Sequence, residues 1–187
     1  MLMDIGPSSD YFTGLIEIKD SKFENNAVLG TALIYTNLKQ AEKSYLHIDN
    51  TIFKNSHFEN NTAGTNGGAI DWNKGARNGT VDNVVFINNT AKRDGGAIFW
   101  NGENGTINHC EFENNYAYNG GAVFVQGNTT NGVIANSTFM NNTAERNGGA
   151  IDWNATSGLL ESSTLSDNRA ENGGAVFWNN TLNGNIT

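Results

Sequence analysis

Residues 86–100 read Phe-Ile-Asn-Asn-Thr-Ala-Lys-Arg-Asp-Gly-Gly-Ala-Ile-Phe-Trp, and both ends of this stretch recur along the chain. An apolar-x-x-Asn motif begins at Phe58, Phe86, Phe112, Phe139 and Leu165, with a weaker early copy at Phe23. A Gly-Gly-Ala-Ile/Val tetrad begins at Gly67, Gly95, Gly120, Gly148 and Gly173. From Phe58 onward, successive copies of the first motif are 28, 26, 27 and 26 residues apart. A period of this length indicates a repeat protein whose units bury a core by stacking on their neighbours.

Each repeat contains two segments with the pattern of short strands. In the first segment the inward places are Val81, Val84 and Phe86 in one copy and Ile107, Cys110 and Phe112 in the next. Such alternation indicates a strand with one buried face, and like residues in equivalent places indicate parallel stacking. The second strand follows the tetrad. We place Ile70, Trp72 and their equivalents inward, although the invariant alanine of the tetrad leaves the opposite choice open.

One asparagine of the first motif is the same in every full copy: Asn61, Asn89, Asn115, Asn142 and Asn168. Asparagine tolerates left-handed backbone, and its side chain both donates and accepts hydrogen bonds. It can therefore turn the chain while bonding to the copies above and below it. The sequence predicts an internal asparagine ladder. The paired glycines are expected to form a bend that a Cβ would obstruct.

These patterns predict an all-β fold, a right-handed parallel β-helix of about six to seven coils of ~26 residues, since a propeller blade needs a longer repeat. Residues 14–187 are expected to form the β-helix and residues 1–13 a lead-in. The interval from Phe23 to Phe58 is 35 residues, which is longer than the others and predicts an insertion loop at about 36–45. The last coil is incomplete, so we expect the chain to be a fragment of a longer protein.

Composition excludes several classes of function. The net charge is −8, and the eleven basic residues are scattered, which argues against binding a phosphate backbone. The single cysteine, Cys110, excludes an intrachain disulfide and a cysteine zinc cluster. No signal-peptide pattern opens the chain, and no stretch has the ~18 apolar residues that a membrane span requires. We expect no nucleic acid partner and no membrane span in this segment.

The paired Phe-x-x-Asn and Gly-Gly-Ala-Ile motifs resemble the repeats of chlamydial polymorphic membrane proteins and of adhesin-like surface proteins of methanogenic archaea. The resemblance covers Phe58 to Trp178 with both motifs, and more weakly Phe23 to Leu33. Leucine replaces phenylalanine at Leu165, and valine replaces isoleucine in two tetrads. The resemblance implies a pectin-lyase-like β-helix.

The resemblance also implies a function, namely that of a non-catalytic adhesin or stalk segment at the cell surface, outside the cell. Its partner would be a glycan or a protein on another cell or in extracellular material. No catalytic residue carries over from these families to this chain. The motif residues themselves are expected to be scaffold.

An alternative function is that of a polysaccharide-acting enzyme, a lyase or glycosidase, because many proteins with a pectin-lyase-like fold cut acidic polysaccharides. The candidate carboxylates are Asp71 and Asp152, in equivalent places three coils apart. Stacking at ~4.8 Å per coil separates them by about 14 Å, farther than the ~5 to 9.5 Å between glycosidase carboxylates. We therefore expect a protein that is not an enzyme.

A candidate binding strip occupies the column behind the tetrad. It consists of Asp71, Phe99, Phe124, Asp152 and Phe177, on the predicted outer face of the second strand. Exposed aromatic rings there would form an apolar surface for sugar rings or a protein partner. The competing interpretation is that another segment covers the strip.

No cofactor or metal is expected. His47, His57 and His109 lack metal-ligand spacing, and the glycine-rich calcium nonapeptide is absent. A third candidate function is that of a structural spacer that associates end to end, because unpaired end coils expose strand edges.

Overall fold

A computed structural model describes residues 3–5, 17–29, 34–36, 48–49, 52–54, 57–72, 76–127, 129–179 and 183–187. Within these ranges the chain forms only strands, bridges, turns and bends, so the predicted all-β class is confirmed. The strands assemble into parallel sheets that run along a solenoid, and each turn of the chain visits the sheets in the same order. No described helix is long and apolar enough to cross a bilayer.

Four sheets form the walls of the solenoid and are numbered in the order in which one turn visits them. Sheet 1 comprises Glu17–Lys19, Ile52–Lys54, Thr80–Asp82, Thr106–Asn108, Val133–Ala135, Ser157–Glu161 and Asn183–Ile186. Sheet 2 comprises Lys22–Glu24, His57–Glu59, Val85–Ile87, Glu111–Glu113, Thr138–Met140 and Thr164–Ser166. Sheet 3 comprises Ala27–Val28, Thr62–Ala63, Thr90–Ala91, Tyr116–Asn119 and Thr143–Asn147. Sheet 4 comprises Met3–Ile5, Ile34–Thr36, Ile70–Trp72, Ile98–Trp100, Val123–Val125, Ile151–Trp153 and Val176–Trp178.

The turns are regular but fewer than predicted. Among the described residues, five turns contribute a strand to all four sheets, so the expected six to seven coils is slightly too high for complete turns. A two-stranded sheet, Ile48–Asp49 with Ala76–Arg77, lies on the connection between sheets 4 and 1. The predicted insertion at 36–45 lies outside the described residues, apart from Thr36.

The amino-terminal register differs from the sequence alignment. Ile34, and not Leu33, pairs with Ile70 and is fully buried. A strand at Met3–Ile5 extends sheet 4 by one further pairing, so this sheet begins before the predicted start of the β-helix at residue 14. The Gly-Gly-Ala-Ile/Val motif is poorly kept at this turn. The alignment of the repeats therefore differs from the structure by one residue here.

The first predicted strand of each repeat is two strands that meet at a corner. Asn83 lies between them with a φ of 54°, a left-handed conformation that asparagine tolerates. This corner explains why Val81 and Val84, three residues apart, both face the core. The corner residue of the next turn is His109, with a φ of 50°.

The core fills the space between the walls. Phenylalanines of sheet 2 stack from turn to turn with ring centroids 4.6 to 5.2 Å apart, and each buried ring contributes about 1.5–3 kcal/mol. Ile70 and Trp72 belong to the same core, which confirms the predicted inward face of sheet 4. The core column at Val84 continues as Cys110 and Ser137, both buried. The Ser137 hydroxyl accepts a hydrogen bond from the Cys110 backbone N–H.

Each tryptophan of sheet 4 packs against a glycine that lies just before the following strand of sheet 1 or is the second residue of that strand. A Cβ on Gly105 would lie 2.5 Å from Cζ2 of Trp100. Val125 replaces tryptophan one turn later, and there a Cβ on Gly132 would have its nearest contact at 3.3 Å, with Cγ2 of Thr129. The glycines therefore provide the space that the indole rings occupy.

The predicted asparagine ladder is present and buried between sheets 2 and 3. The Nδ2 group of Asn89 donates to Oδ1 of Asn115 at 3.0 Å, and the Nδ2 group of Asn115 donates to Oδ1 of Asn142 at 3.0 Å. Each side chain also accepts a backbone N–H from the preceding turn, as Asn115 does from Asn89 at 2.9 Å. The second Nδ2 proton of Asn115 goes to the carbonyl of Phe86. The ladder satisfies buried amides that would otherwise destabilise the core.

The left-handed residue at this corner is the one before the ladder asparagine. Asn88 and Asn114 have φ values of 53° and 55° and are exposed, whereas the ladder residues do not have positive φ. Asp167 occupies the same place with a φ of 56°. These two positions have different requirements. The corner residue can be Asn or Asp, because both tolerate left-handed backbone, while the ladder position needs an amide that both donates and accepts hydrogen bonds.

Candidate functional site

The residues of the predicted strip lie side by side on sheet 4. Asp71 pairs with Phe99, Phe99 with Phe124, Phe124 with Asp152, and Asp152 with Phe177. Each is the central residue of a three-residue strand whose two flanking side chains face the core. The strip is therefore one continuous row on the outer face of the sheet. By backbone register, Tyr35 takes the next place in the row, beside Asp71. The alignment of the repeats did not include this residue.

The expectation that this row is exposed is wrong for four of its five residues. Relative exposure is 1% for Asp71, 7% for Phe99, 5% for Phe124 and 3% for Asp152. Phe177, in the last described turn of the sheet, is half-buried. The competing interpretation, in which another segment covers the row, agrees with this burial.

The turn segments between sheets 3 and 4 lie against the row. The first glycine of each tetrad is left-handed, and a Cβ on Gly95 would lie 2.1 Å from the carbonyl oxygen of Ile98, so the chain doubles back tightly. At a later turn, the side chain of Asn147 lies near enough to the Asp152 carboxyl to lower its pKa. Successive turn segments are bonded to each other, for example from Gly95 N–H to the Asn119 carbonyl at 2.9 Å.

The two phenylalanines at the centre of the row stack on each other. Their ring centroids are 5.6 Å apart and the rings are nearly parallel, at 3°. This pair separates the two carboxylates along the sheet, because Asp71 and Asp152 lie on either side of it. At ~4.8 Å per strand the carboxylates are about 14 Å apart, too far for joint action on one glycosidic bond.

Burial changes the acidity of both carboxylates. It raises the pKa of Asp71 from 3.8 to about 7. It also raises the pKa of Asp152 to about 7, with a further contribution from the nearby negative charge of Asp94, while the nearby side chain of Asn147 opposes the shift. Both groups thus carry a proton for part of the time at neutral pH, which marks them as unusual residues.

The described histidine and its neighbours do not form a metal site. Nδ1 of His109 lies 3.3 Å from Oδ1 of Asp82 on the exposed surface. His47 and the side chain of His57 lie outside the described residues. In the part of the chain that the structure describes, no three His, Cys, Asp or Glu side chains lie close enough to hold a metal ion.

The outer face of sheet 3 carries features that sequence reasoning missed. Tyr116 and Tyr118 are exposed there, and Lys92, Arg93 and Arg146 project from the same wall of the solenoid. The signal was available in the sequence, because the residues flanking the small alanine column change type from copy to copy. The strand itself went unrecognised because Thr90–Ala91 and its equivalents are only two residues long in several turns.

Four segments of the chain match the family model of the Chlamydia polymorphic membrane protein repeat, at residues 55–71, 83–99, 109–126 and 136–152. Each match runs from sheet 2 through sheet 3 to sheet 4 and contains both motifs. The resemblance of the repeats to those of polymorphic membrane proteins is thereby confirmed. Neither the search of curated proteins nor the search of solved structures gave a match.

Proposed function

We propose that this segment is a non-catalytic part of a cell-surface protein and mediates attachment to other cells or to extracellular material. The observation that carries the proposal is the match of four successive turns to the polymorphic membrane protein repeat. Repeats of that family belong to surface proteins, and a solenoid of stacked turns presents an extended, rigid outer surface of the kind used for binding. The surface of the cell, facing outward, is accordingly the location that we propose.

The arrangement of the carboxylates supports a binding role over a catalytic one. Asp71 and Asp152 are buried beside phenylalanines and separated by two strands of the sheet. A glycosidase or lyase needs acid and base groups that reach the same substrate bond. The row instead forms part of the packing between sheet 4 and the turn segments.

Binding to cells tests the proposal directly. Fluorescently labelled chain is incubated with a panel of microbial and animal cells, and bound fluorescence is measured by flow cytometry against an unrelated acidic protein of similar size. We expect saturable binding to at least one cell type, with competition by unlabelled chain. Fluorescence equal to that of the control protein on every cell type would overturn the proposal.

One observation favours the enzymatic alternative, because a carboxyl with a pKa of about 7 is suited to general acid and base catalysis. The test is turnover of a panel of acidic and neutral polysaccharides by the chain and by Asp71→Asn. We expect no turnover by either protein. Turnover that Asp71→Asn abolishes would establish the enzymatic function instead.

A further inference from the structure

The outer face of sheet 3 presents two tyrosines side by side. Tyr116 and Tyr118 are 39% and 41% exposed, while Ala117 between them is buried in the wall. Backbone pairing places Tyr116 between Thr90 and Thr143 of the neighbouring turns. Both tyrosines therefore belong to a strand that is paired with its neighbours, and neither lies in an irregular loop.

Four cationic residues lie in the turns on either side of the tyrosines. They are Lys92, Arg93, Arg146 and Arg169, all of them exposed. The backbone carbonyl of Arg93 accepts a hydrogen bond from the Tyr118 N–H at 2.8 Å, and Thr143, beside Tyr116, bridges to Arg169. The six residues span four adjacent turns, about 14 Å along the solenoid at ~4.8 Å per turn. We call this group the sheet 3 ridge.

The ridge cations differ from the other described cations in lacking partners. Lys19, Lys22 and Arg77 each form a salt bridge with a glutamate, namely Glu17, Glu24 and Glu103. Among the described residues, no salt bridge involves the four cations of the ridge. Within the part of the chain whose side chains the structure describes, the lysines and arginines without a salt bridge are thus these four, although the net charge of the chain is −8.

The ridge already holds a carboxylate of its own chain. The hydroxyl of Tyr116 donates a hydrogen bond to Oε1 of Glu145, one turn further along the same sheet. A carboxylate can therefore sit beside Tyr116 on this face. Guanidinium groups bind carboxylates through paired, charge-assisted hydrogen bonds. The arginines of the ridge can therefore bind the carboxylates of an incoming ligand in this way.

We propose that the sheet 3 ridge is a docking surface for an acidic, Asp- or Glu-rich peptide segment of a partner protein. Tyrosine and arginine are the residues most enriched at the energetic centres of protein interfaces, and here they occur together with free positive charge. The rest of the acidic surface repels such a segment and directs it to the ridge. This inference rests on the proposed attachment function and names the chemistry of its partner.

Fluorescence anisotropy with a fluorescein-labelled oligoglutamate peptide tests the inference. We expect saturable binding to the chain that weakens as salt is added, because the contacts are charged and exposed. The variant Arg93→Ala/Arg146→Ala/Arg169→Ala should weaken binding about tenfold or more. Tyr116→Thr, which installs the residue of the neighbouring turns, should weaken it several-fold through lost contact area. The matched control Lys19→Ala/Lys22→Ala removes two paired cations and should bind as the unaltered chain does.

In the peptide assay, the inference is overturned by no binding of the peptide, by equal binding of the arginine variant and the control variant, or by binding of heparin or an oligonucleotide with none of the peptide. The same protein samples are tested for attachment to cells. Cell attachment that survives the arginine substitutions would overturn the ridge inference and leave the attachment function standing. Peptide binding without any cell attachment would support the ridge and overturn the attachment function.

Discussion

Asp71 and Asp152 occupy places that other turns of the chain fill with phenylalanine, and they are buried just as deeply. A carboxylate in such a place loses hydration, so the protonated form is favoured. The residue type is therefore unfavourable for folding at neutral pH. The stability of the protein should depend on pH through these two groups.

The substitution Asp152→Asn should stabilise the fold at pH 8 and have little effect at pH 4. The pKa of Asp152 is about 7 in the folded chain and 3.8 as an unperturbed group. The folded state thus holds the proton more tightly, and the free energy of unfolding falls as pH rises from about 4 to about 7 and is then level. Removing the ionisable group should recover up to roughly 4 kcal/mol at pH 8. Thermal unfolding from pH 4 to pH 8 measures this difference.

The control for this prediction is Asp167→Asn. Asp167 is exposed, and equivalent corners of the other turns have asparagine in the same left-handed conformation. Its substitution should change the unfolding temperature little at any pH. An Asp152→Asn variant with the same pH dependence as the unaltered chain would show that this carboxyl is not strained by burial.

A second prediction at this scale concerns the glycines beneath the tryptophans. Gly105→Ala should destabilise the fold by about 1–3 kcal/mol, because the new Cβ would lie 2.5 Å from a ring carbon of Trp100 that is packed on all sides. Midpoints of denaturant unfolding measure the change.

Gly132→Ala is the matched control, since its Cβ would lie 3.3 Å from Thr129 and 3.4 Å from the ring of Trp100, distances that need only a small adjustment. The loss there should be under about 1 kcal/mol. Equal losses for Gly105→Ala and Gly132→Ala would contradict the pairing of tryptophan with glycine.

Sequence patterns predicted the inner face of the strands correctly and the exposure of the outer face incorrectly. Alternation identifies which side chains share a face, and the consistently apolar Ile/Val and Trp/Val places identified the core. Exposure of Asp71 or Phe99 depends on whether a separate segment lies against the outer face. The recurring first glycine of each tetrad predicts the bend itself, but it does not show where the chain before the bend lies relative to the outer face.

At the scale of the elements, short strands are held together across turns by the asparagine ladder. A three-residue strand contributes few hydrogen bonds of its own. Hydrogen bonds at the corners are therefore needed to keep successive turns in register. The buried ladder supplies bonds in the stacking direction at one corner of every regular turn. The column of Cys110, Ser137 and Ser163 supplies a smaller set at another corner.

Asn115→Ala should destabilise the protein by about 3 kcal/mol or more. The substitution leaves the backbone N–H and Nδ2 group of Asn89 without their acceptor and the Phe86 carbonyl without its donor, all of them buried. Each unsatisfied buried group costs about 1–3 kcal/mol. Denaturant unfolding followed by circular dichroism measures the loss.

The neighbouring Asn114→Asp is the control for the ladder, because the corner place accepts aspartate at Asp167. It should change stability by less than about 1 kcal/mol. A small effect of Asn115→Ala, comparable to that of the control, would mean that the ladder does not hold the turns together.

Corners were the elements that sequence reasoning resolved least well. The ladder itself followed from the invariance of one asparagine, but the first strand was taken as continuous although Asn83 divides it. An asparagine, a histidine and a serine serve in turn at this corner, at Asn83, His109 and Ser162, so no single residue type marks it. The small strands of sheet 3 were missed for a related reason, since two residues do not show a period.

At the scale of the whole molecule, the described turns form a stack in which each strand pairs with the strands of adjacent turns. In such a solenoid the inward-facing residues stay similar while the outward-facing residues vary from turn to turn. Functional differences therefore concentrate on the outer surface of the walls. The four turns that match the polymorphic membrane protein repeat form the regular centre of this stack. Among the described side chains, the cations without a salt bridge lie on the sheet 3 ridge, whereas the row on sheet 4 is mostly buried.

Attachment under flow is the measurement that tests the account most directly. Beads coated with the folded chain are passed over cells of the type that binds the soluble protein, and retained beads are counted as shear increases. Beads coated with the unrelated acidic protein used above provide the comparison. The account predicts that chain-coated beads are retained at shear that removes the comparison beads, and that excess soluble chain abolishes the difference. Equal retention of the two kinds of bead at every shear would contradict an attachment function.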